Sequence, residues 1–185
     1  MKNILLFIIL CSCFLLIGIS CKKSADPIPE PEPSNNPVDQ LPDPYDYPNS
    51  NEIFACLLDG EVWKPAGAFN NPSSAYHAPS GQLNLSAKKI SNNIYSSIAL
   101  VIKFSSTGDF DILNSTPYVN ESFCLSNWEY SLDTTSYSNV TIDSISVDEG
   151  FVIGTFEFTA ITEKDCPDSE PDTVKVTAGR FKTTL

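Results

Sequence analysis

The sequence predicts an all-β domain over residues 52–185, a single antiparallel β-sandwich or open barrel of roughly eight to ten strands. Three observations support this fold class. Apolar and polar residues alternate at period two over most of the range, no stretch shows a sustained apolar recurrence at 3.6 residues, and clusters of Gly, Asn, Ser, Asp and Pro separate the short apolar runs. The length fits one domain with its own hydrophobic core.

The domain is predicted to open with a hairpin. Phe54, Cys56 and Leu58 alternate as far as Asp59-Gly60, a strong signal for a two-residue turn, and Glu61-Val62-Trp63 forms the returning strand. Because Cys56 is in phase with its apolar neighbours, we expect a buried thiol.

The middle of the domain contains two further strand patterns. One is a long strand whose two faces are both weakly polar, as in a central strand; its more apolar face comprises Ile98, Leu100, Ile102 and Phe104. The other is a half-buried strand whose apolar positions are Trp128, Tyr130 and Leu132.

Two strands are predicted to close the domain. The first places Val152, Phe156, Phe158 and Ala160 on one face, and the second does the same with Val174 and Val176. Gly179, just before Phe181, predicts a bulge or bend in the last strand.

The N-terminus predicts a lipoprotein signal peptide over residues 1–20. Its apolar run, 4–19, is 16 residues long, whereas a helix that spans a bilayer needs about 20. Gly18-Ile19-Ser20-Cys21 is similar to a lipobox, with Gly18 at the position where Leu is usual. We therefore expect palmitate-type acylation of Cys21 to anchor the chain. The alternatives are an ordinary cleaved signal and an uncleaved anchor.

Residues 21–51 are predicted to form the lipidated cysteine and a disordered, proline-rich stalk. Residues 22–51 carry eight of the chain's fourteen prolines, with Asp, Glu, Asn and Ser between them. Such a composition buries little apolar surface and favours extended conformations. The predicted organisation is therefore a signal peptide (1–20), a stalk (21–51) and a β-domain (52–185).

Charge and cysteine usage narrow the function classes. With 11 Lys and Arg against 23 Asp and Glu, the chain has a net charge of −12, which argues against nucleic-acid partners. Cys124 and Cys166 lie near turns and are the candidate disulfide, with Cys56 left free; the alternative is that no bridge forms. No Cys-x-x-Cys spacing occurs and His77 is the only histidine, so neither a metal nor another cofactor is expected.

No catalytic device is evident in the sequence. His77 lies in the loop-like stretch SSAYHAPSG without a nucleophile motif beside it, so we expect a non-enzyme. The candidate binding residues are instead aromatic side chains near turns, where a flat amphipathic ring suits a sugar or a peptide. The candidates are Tyr76, Tyr118 and Tyr137.

The two ends of the domain resemble a family of small, uncharacterised Bacteroidetes-type lipoproteins. The shared stretches are FACLLDGEVW (54–63), GTFEFTA (154–160) and DTVKVTAGRF (172–181). The resemblance implies a β-rich, envelope-anchored domain of unknown function and no catalytic residues. Three Asp-Ser/Thr-hydrophobic triplets are similar to O-glycosylation sites in such bacteria, with possible acceptors at Thr134, Ser144 and Thr173.

These observations predict a protein of the cell envelope that is anchored in the outer membrane, on either the periplasmic or the surface face. They lead to three hypotheses for its function. The first is a non-catalytic binding or accessory module for a glycan or protein partner. The second is a structural envelope lipoprotein without a specific ligand. The third, a carboxylate-based hydrolase, requires a concave pocket with two close acidic side chains.

Overall fold

The computed structural model describes residues 35–47, 52–66, 71–91, 94–120, 128–162 and 172–185. Two antiparallel sheets pack together, so the all-β prediction is confirmed and the architecture is a sandwich. The described residues form thirteen strands rather than eight to ten, because several segments are only two or three residues long. None of the helices in these ranges has the length and apolar character needed to cross a bilayer.

The strands take up most of the described chain. Their bounds are β1 Ile53–Leu58, β2 Glu61–Trp63, β3 Ser73–His77, β4 Gln82–Ser91, β5 Ile94–Lys103, β6 Gly108–Phe110, β7 Ile112–Ser115, β8 Tyr118–Asn120, β9 Trp128–Glu129, β10 Ser131–Leu132, β11 Asn139–Ser146, β12 Phe151–Ile161 and β13 Thr173–Thr184. Two short 3-10 helices, Pro37–Gln40 and Pro44–Asp46, precede them.

Each sheet is a run of antiparallel pairings. Sheet A has the order β2-β1-β13-β12-β11-β6, with β10 also paired to β12, and sheet B has the order β3-β4-β5-β8-β9, with β7 also paired to β5. The strand predicted to be central is β5, which pairs with β4 on one side and with β7 and β8 on the other.

The hydrophobic core fills the space between the sheets. Alternation at period two points one side of each strand inward, and the buried set includes the predicted residues Phe54, Cys56, Ile98, Leu100, Ile102, Phe104, Val152, Phe156, Phe158, Ala160, Val174 and Val176. Trp63 is also buried, and its indole Nε1–H donates to Ser96 Oγ at 3.0 Å. This hydrogen bond joins β2 of sheet A to β5 of sheet B.

The predicted first hairpin is present. Asp59 and Gly60 both have positive φ, 50° and 87°, as a type I′ turn requires. The Asp59 carboxylate accepts a hydrogen bond from the Lys175 amide at 2.8 Å. The turn is thereby attached to β13 as well as closing β1 onto β2.

The strand predicted around Tyr130 is divided between the two sheets. β9 pairs with β8 in sheet B, whereas β10 pairs with β12 in sheet A. Tyr130 lies between them and is fully buried. The alternation of this segment predicts one strand, but the chain passes from one sheet to the other at this tyrosine.

The bulge predicted in the last strand lies at Thr177 and Ala178, directly before Gly179. Phe156 pairs with Gly179 while Phe158 pairs with Val176, so β13 holds an extra residue there. Ala178 has a φ of 49°, and a Cβ on Gly179 would lie 2.5 Å from the Phe156 ring. Glycine therefore allows β13 to pack directly on that ring.

Residues 35–47, which we call the strap, are folded onto the domain and do not behave as the expected stalk. They belong to the compact unit Ser34–Leu185. Asn36 and Asp43 cap the two 3-10 helices through hydrogen bonds to the amides of Val38 and Tyr45. Leu41 is buried against Ala55 and Leu57 of β1, because β1 is apolar on both faces.

Candidate functional site

A cleft of about 560 Å³ opens at one end of the sandwich, and we call it the end cleft. It lies between the β3–β4 turn, the end of β5 and the end of β6. Small-molecule sites typically enclose about 300–1,000 Å³, so the end cleft has the size of such a site. Its lining residues are Tyr76, Ala78, Pro79, Ser80, Gly81, Lys103, Phe104, Ser105 and Phe110.

Three aromatic rings meet in the end cleft. Tyr76 and Phe104 stack with ring centroids 5.6 Å apart and planes at 25°, and Phe110 meets Phe104 edge-on at 6.4 Å. Phe104 is buried, whereas Tyr76 and Phe110 are half-buried. The cleft therefore has an aromatic wall whose outer rings still reach solvent.

The backbone of the β3–β4 turn holds this wall in place. The amides of Ser80 and Gly81 donate to the His77 carbonyl oxygen at 3.1 and 3.0 Å, and the Phe104 amide donates to the Gly81 carbonyl oxygen at 3.0 Å. Gly81 has a φ of 67°, and a Cβ there would lie 2.5 Å from the Phe104 carbonyl oxygen. Only glycine lets the turn approach the end of β5 so closely.

Lys103 provides the charge of the end cleft. It is exposed, and it is the charged residue among the described residues that line the cleft. The nearby Asp109 precedes Phe110, but its carboxylate accepts hydrogen bonds from Thr141 Oγ1 at 2.6 Å and Asn139 Nδ2 at 3.4 Å. These bonds lower the pKa of Asp109 and direct its charge toward β11.

A second, larger cleft of about 680 Å³ lies along the strap. Arg180 Nη1 donates to the Leu41 carbonyl oxygen at 3.3 Å, and Lys182 Nζ donates to the Tyr47 carbonyl oxygen at 3.0 Å. These bonds fix the strap backbone and leave Tyr45 and Tyr47 60% and 48% exposed. Sequence analysis missed both tyrosines because the surrounding prolines indicated a stalk.

Four carboxylates contribute to the strap cleft. Asp39, Asp43, Asp46 and Glu52 all contribute to its lining. Asp43 is the cap of the second 3-10 helix and accepts a hydrogen bond from the Tyr45 amide at 3.0 Å. A capping role accounts for that carboxylate without catalysis.

The three candidate aromatic residues have different environments. Tyr76 is half-buried rather than fully exposed, because its ring stacks on Phe104. Tyr137 is 69% exposed and does not line the end cleft. Tyr118 begins β8, but its side chain lies outside the described residues. Of the two candidates whose side chains are described, Tyr76 lies in the end cleft.

The signal for the end cleft was present in the sequence only in part. Tyr76 was identified from its position near a turn, but Phe110 and Lys103 gave no distinguishing pattern. His77, expected in a loop, is the last residue of β3 and is exposed. No group of three or more His, Cys, Asp or Glu side chains that could bind a metal occurs in the described ranges.

The cysteine and modification predictions fall on differing parts of the chain. Cys21, Cys124 and Cys166 lie outside the described residues, so the anchor and the disulfide stay predictions. Cys56 is free and buried, and burial raises the pKa of its thiol to about 12. Among the possible glycan acceptors, Thr134 and Thr173 are exposed and Ser144 is half-buried.

Comparison with known proteins identifies no relative of this chain. No family model, no curated protein and no solved structure matches the chain. The similarity to the lipoprotein family noted above therefore stays an expectation, and the case for function depends on the geometry of the end cleft and of the strap.

Proposed function

We propose that this protein is a lipid-anchored, non-catalytic binding module of the cell envelope, and that the end cleft binds a glycan. The observation that carries the proposal is the aromatic wall of Tyr76, Phe104 and Phe110 beside an exposed lysine. Flat rings bind the apolar face of a sugar, while neighbouring polar groups pair with its hydroxyls.

The supporting geometry is that of a preformed site. The amides of Ser80 and Gly81 close the turn onto His77, and the Phe104 amide connects the turn to the end of β5. A ligand would therefore order few further groups. Binding to such a site loses little conformational entropy. Ser105 at the rim is exposed and offers its hydroxyl group to a polar ligand.

The localisation part of the proposal depends on the N-terminus. An acylated Cys21 would attach the chain to the outer membrane, since two or three acyl chains give stable anchoring where one gives marginal binding. The chain's acidic balance supports a partner other than nucleic acid. The exposed Tyr45 and Tyr47 on the strap offer a separate surface for a protein partner.

The second candidate function is a structural envelope lipoprotein without a specific ligand. The observation in its favour is that Tyr76 and Phe104 contact each other, so packing alone accounts for part of the aromatic wall. The two candidates differ in whether the outer rings of the cleft contact a ligand.

A binding experiment distinguishes the candidates. The full-length protein, purified in detergent, would be applied to an array of neutral and acidic glycans, together with the variants Tyr76→Leu and Tyr137→Leu. We expect the wild-type protein to bind a glycan, Tyr76→Leu to lose at least about tenfold in affinity, and Tyr137→Leu to bind as wild type. Thermal unfolding would establish that both variants are folded.

The opposing outcomes favour the structural candidate. If the wild-type protein binds no glycan on the array, the binding proposal fails. It also fails if a bound glycan loses affinity with Tyr137→Leu and keeps it with Tyr76→Leu, because the contact surface would then lie away from the end cleft.

A further inference from the structure

We infer that the end cleft selects an acidic sugar, a uronic acid residue whose ring stacks on the aromatic wall and whose carboxylate pairs with Lys103. This inference rests on the proposed function and adds the chemical class of the ligand. It follows from the charge of the cleft, from the position of that charge beside the rings, and from the absence of a competing carboxylate in the described lining.

The charge of the cleft is opposite to that of the protein. The chain carries a net charge of −12, yet Lys103 is the charged group among the residues described around this cleft. Lys103 has no ion-pair partner within the described part of the chain. An unpaired ammonium group at the edge of a cleft attracts an anion and increases the rate at which it binds.

The position of the lysine favours a single ligand that carries both a ring and a negative charge. Lys103 is the last residue of β5 and directly precedes Phe104, and both residues line the end cleft together with Tyr76. A ligand that contacts Tyr76 and Lys103 together needs a ring and a negative charge in the same unit. A uronic acid has both, whereas a neutral sugar leaves the lysine without a partner.

The nearest acidic groups do not cancel this charge. Asp109 is held toward β11 by Thr141 Oγ1 and Asn139 Nδ2, and it does not line the cleft. Asp111 follows Phe110 and is exposed on the strand β6–β7 connection. Neither carboxylate lines the cleft, so the charged side chain that an anion in the cleft contacts is Lys103.

The inference is tested with acidic and neutral sugars of equal length. Isothermal titration calorimetry on the full-length protein in detergent would use trigalacturonate and trimannuronate as acidic probes and galactotriose and mannotriose as neutral ones. We expect at least one acidic trimer to bind about tenfold more tightly than its neutral counterpart, with the difference reduced by added salt.

Two lysine variants complete the test. Lys103→Gln should weaken binding of the acidic trimer about three- to tenfold and weaken binding of the neutral trimers by a smaller factor. Lys88→Gln, on the exposed side of the neighbouring β4, removes the same charge outside the cleft and should have no such effect. Both substitutions are at exposed positions, so loss of folding does not confuse the result.

The outcomes separate this inference from the proposed function. Equal binding of acidic and neutral trimers, or equal losses in the two lysine variants, overturns the uronic acid assignment and leaves a glycan-binding module in place. Binding of neutral trimers alone also overturns it. If the array shows no bound glycan of either kind, the proposed function fails and this inference fails with it.

Discussion

The Cys56 thiol illustrates how the interior controls chemical reactivity at a single residue. Burial raises its pKa from 9.0 to about 12, with Lys89 acting weakly in the opposite direction. The thiolate is the reactive form, and at about pH 8 it would make up roughly one part in ten thousand of this group. The thiol also lies out of reach of solvent.

We predict that Cys56 is protected from alkylation in the folded protein and reacts fully in denaturant. Peptide mapping by mass spectrometry after iodoacetamide treatment measures this directly, and rapid labelling of Cys56 in the native state would contradict it.

The raised pKa of Cys56 also predicts how stability depends on pH. A raised folded-state pKa stabilises the fold below the unfolded value of 9.0, and this contribution is lost as the pH rises toward 12. The wild-type protein should therefore lose more stability above about pH 9 than Cys56→Ala.

At the bulge in β13, we predict opposite effects on the free energy of unfolding for substitutions at Ala178 and Gly179. Gly179→Ala places a Cβ 2.5 Å from the Phe156 ring and 2.6 Å from its carbonyl oxygen, so we expect a loss of at least about 2 kcal/mol. Ala178→Gly relieves a positive φ of 49° and should be neutral or stabilising by up to about 1 kcal/mol.

Urea denaturation of the wild-type protein and both variants measures the pair. The comparison is matched because the residues are adjacent and each substitution changes one methyl group. A larger loss from Ala178→Gly than from Gly179→Ala would contradict the geometry of the bulge.

At the scale of elements, the strap is the main departure from what the sequence predicts. Period-two alternation identified β1, β5, β12 and β13, because inward and outward positions differ in burial. The strap has no such signal: its 3-10 helices are three or four residues long, and its apolar contact with β1 is made by Val38 and Leu41 among prolines. The composition of these residues indicates a stalk, but their structure is determined by packing against β1.

The sequence does not predict the end cleft or the passage of the chain between sheets at Tyr130, for related reasons. Tyr76 lies in β3, Phe104 directly follows β5 and Phe110 ends β6, so their contacts depend on the packing of separate elements. Alternation around Tyr130 is the same whether the strand stays in one sheet or changes sheets. Local pattern gives burial, but it does not give the partner across the core.

We predict that Leu41→Ala releases the strap while the sandwich stays folded. Removing most of a buried leucine side chain costs about 2–3 kcal/mol. The strap would then depend on the packing of Val38 and Pro44 and on the hydrogen bonds from Arg180 and Lys182. Hydrogen exchange measured by mass spectrometry should become faster in residues 35–47 and remain slow in β12 and β13.

Tyr45→Ala serves as the control because Tyr45 is mostly exposed and its side chain contributes little to docking. Equal exchange of the strap in Leu41→Ala and in the wild type would show that Leu41 does not hold it. Faster exchange throughout the sheets would instead make the strap part of the global folding unit.

At the scale of the whole molecule, the predicted anchor determines the mass of the mature protein. We expect the membrane-extracted chain to have the mass of residues 21–185 plus two or three acyl chains. Hexose-type increments on peptides that contain Thr134 or Thr173 would support O-glycosylation, since both residues are exposed. Ser144 is half-buried and should be modified least.

Intact mass spectrometry before and after reduction and thiol alkylation checks these expectations together. Cys21→Ser should shift the protein from the membrane to the soluble fraction. An unacylated fragment or the full-length chain in the wild type would contradict the anchor, and three alkylated cysteines after unfolding without reduction would contradict the Cys124–Cys166 bridge.

The order of synthesis differs from the order of strands in sheet A. β13 lies between β1 and β12 in that sheet, although it is the last described strand to leave the ribosome. A nascent chain that stops before Thr173 has β1 at one end and β12 near the other, without the strand that pairs with both. Until β13 is made, β1 and β12 lack the strand that joins them in sheet A, so we expect this sheet to be completed only at the end of synthesis.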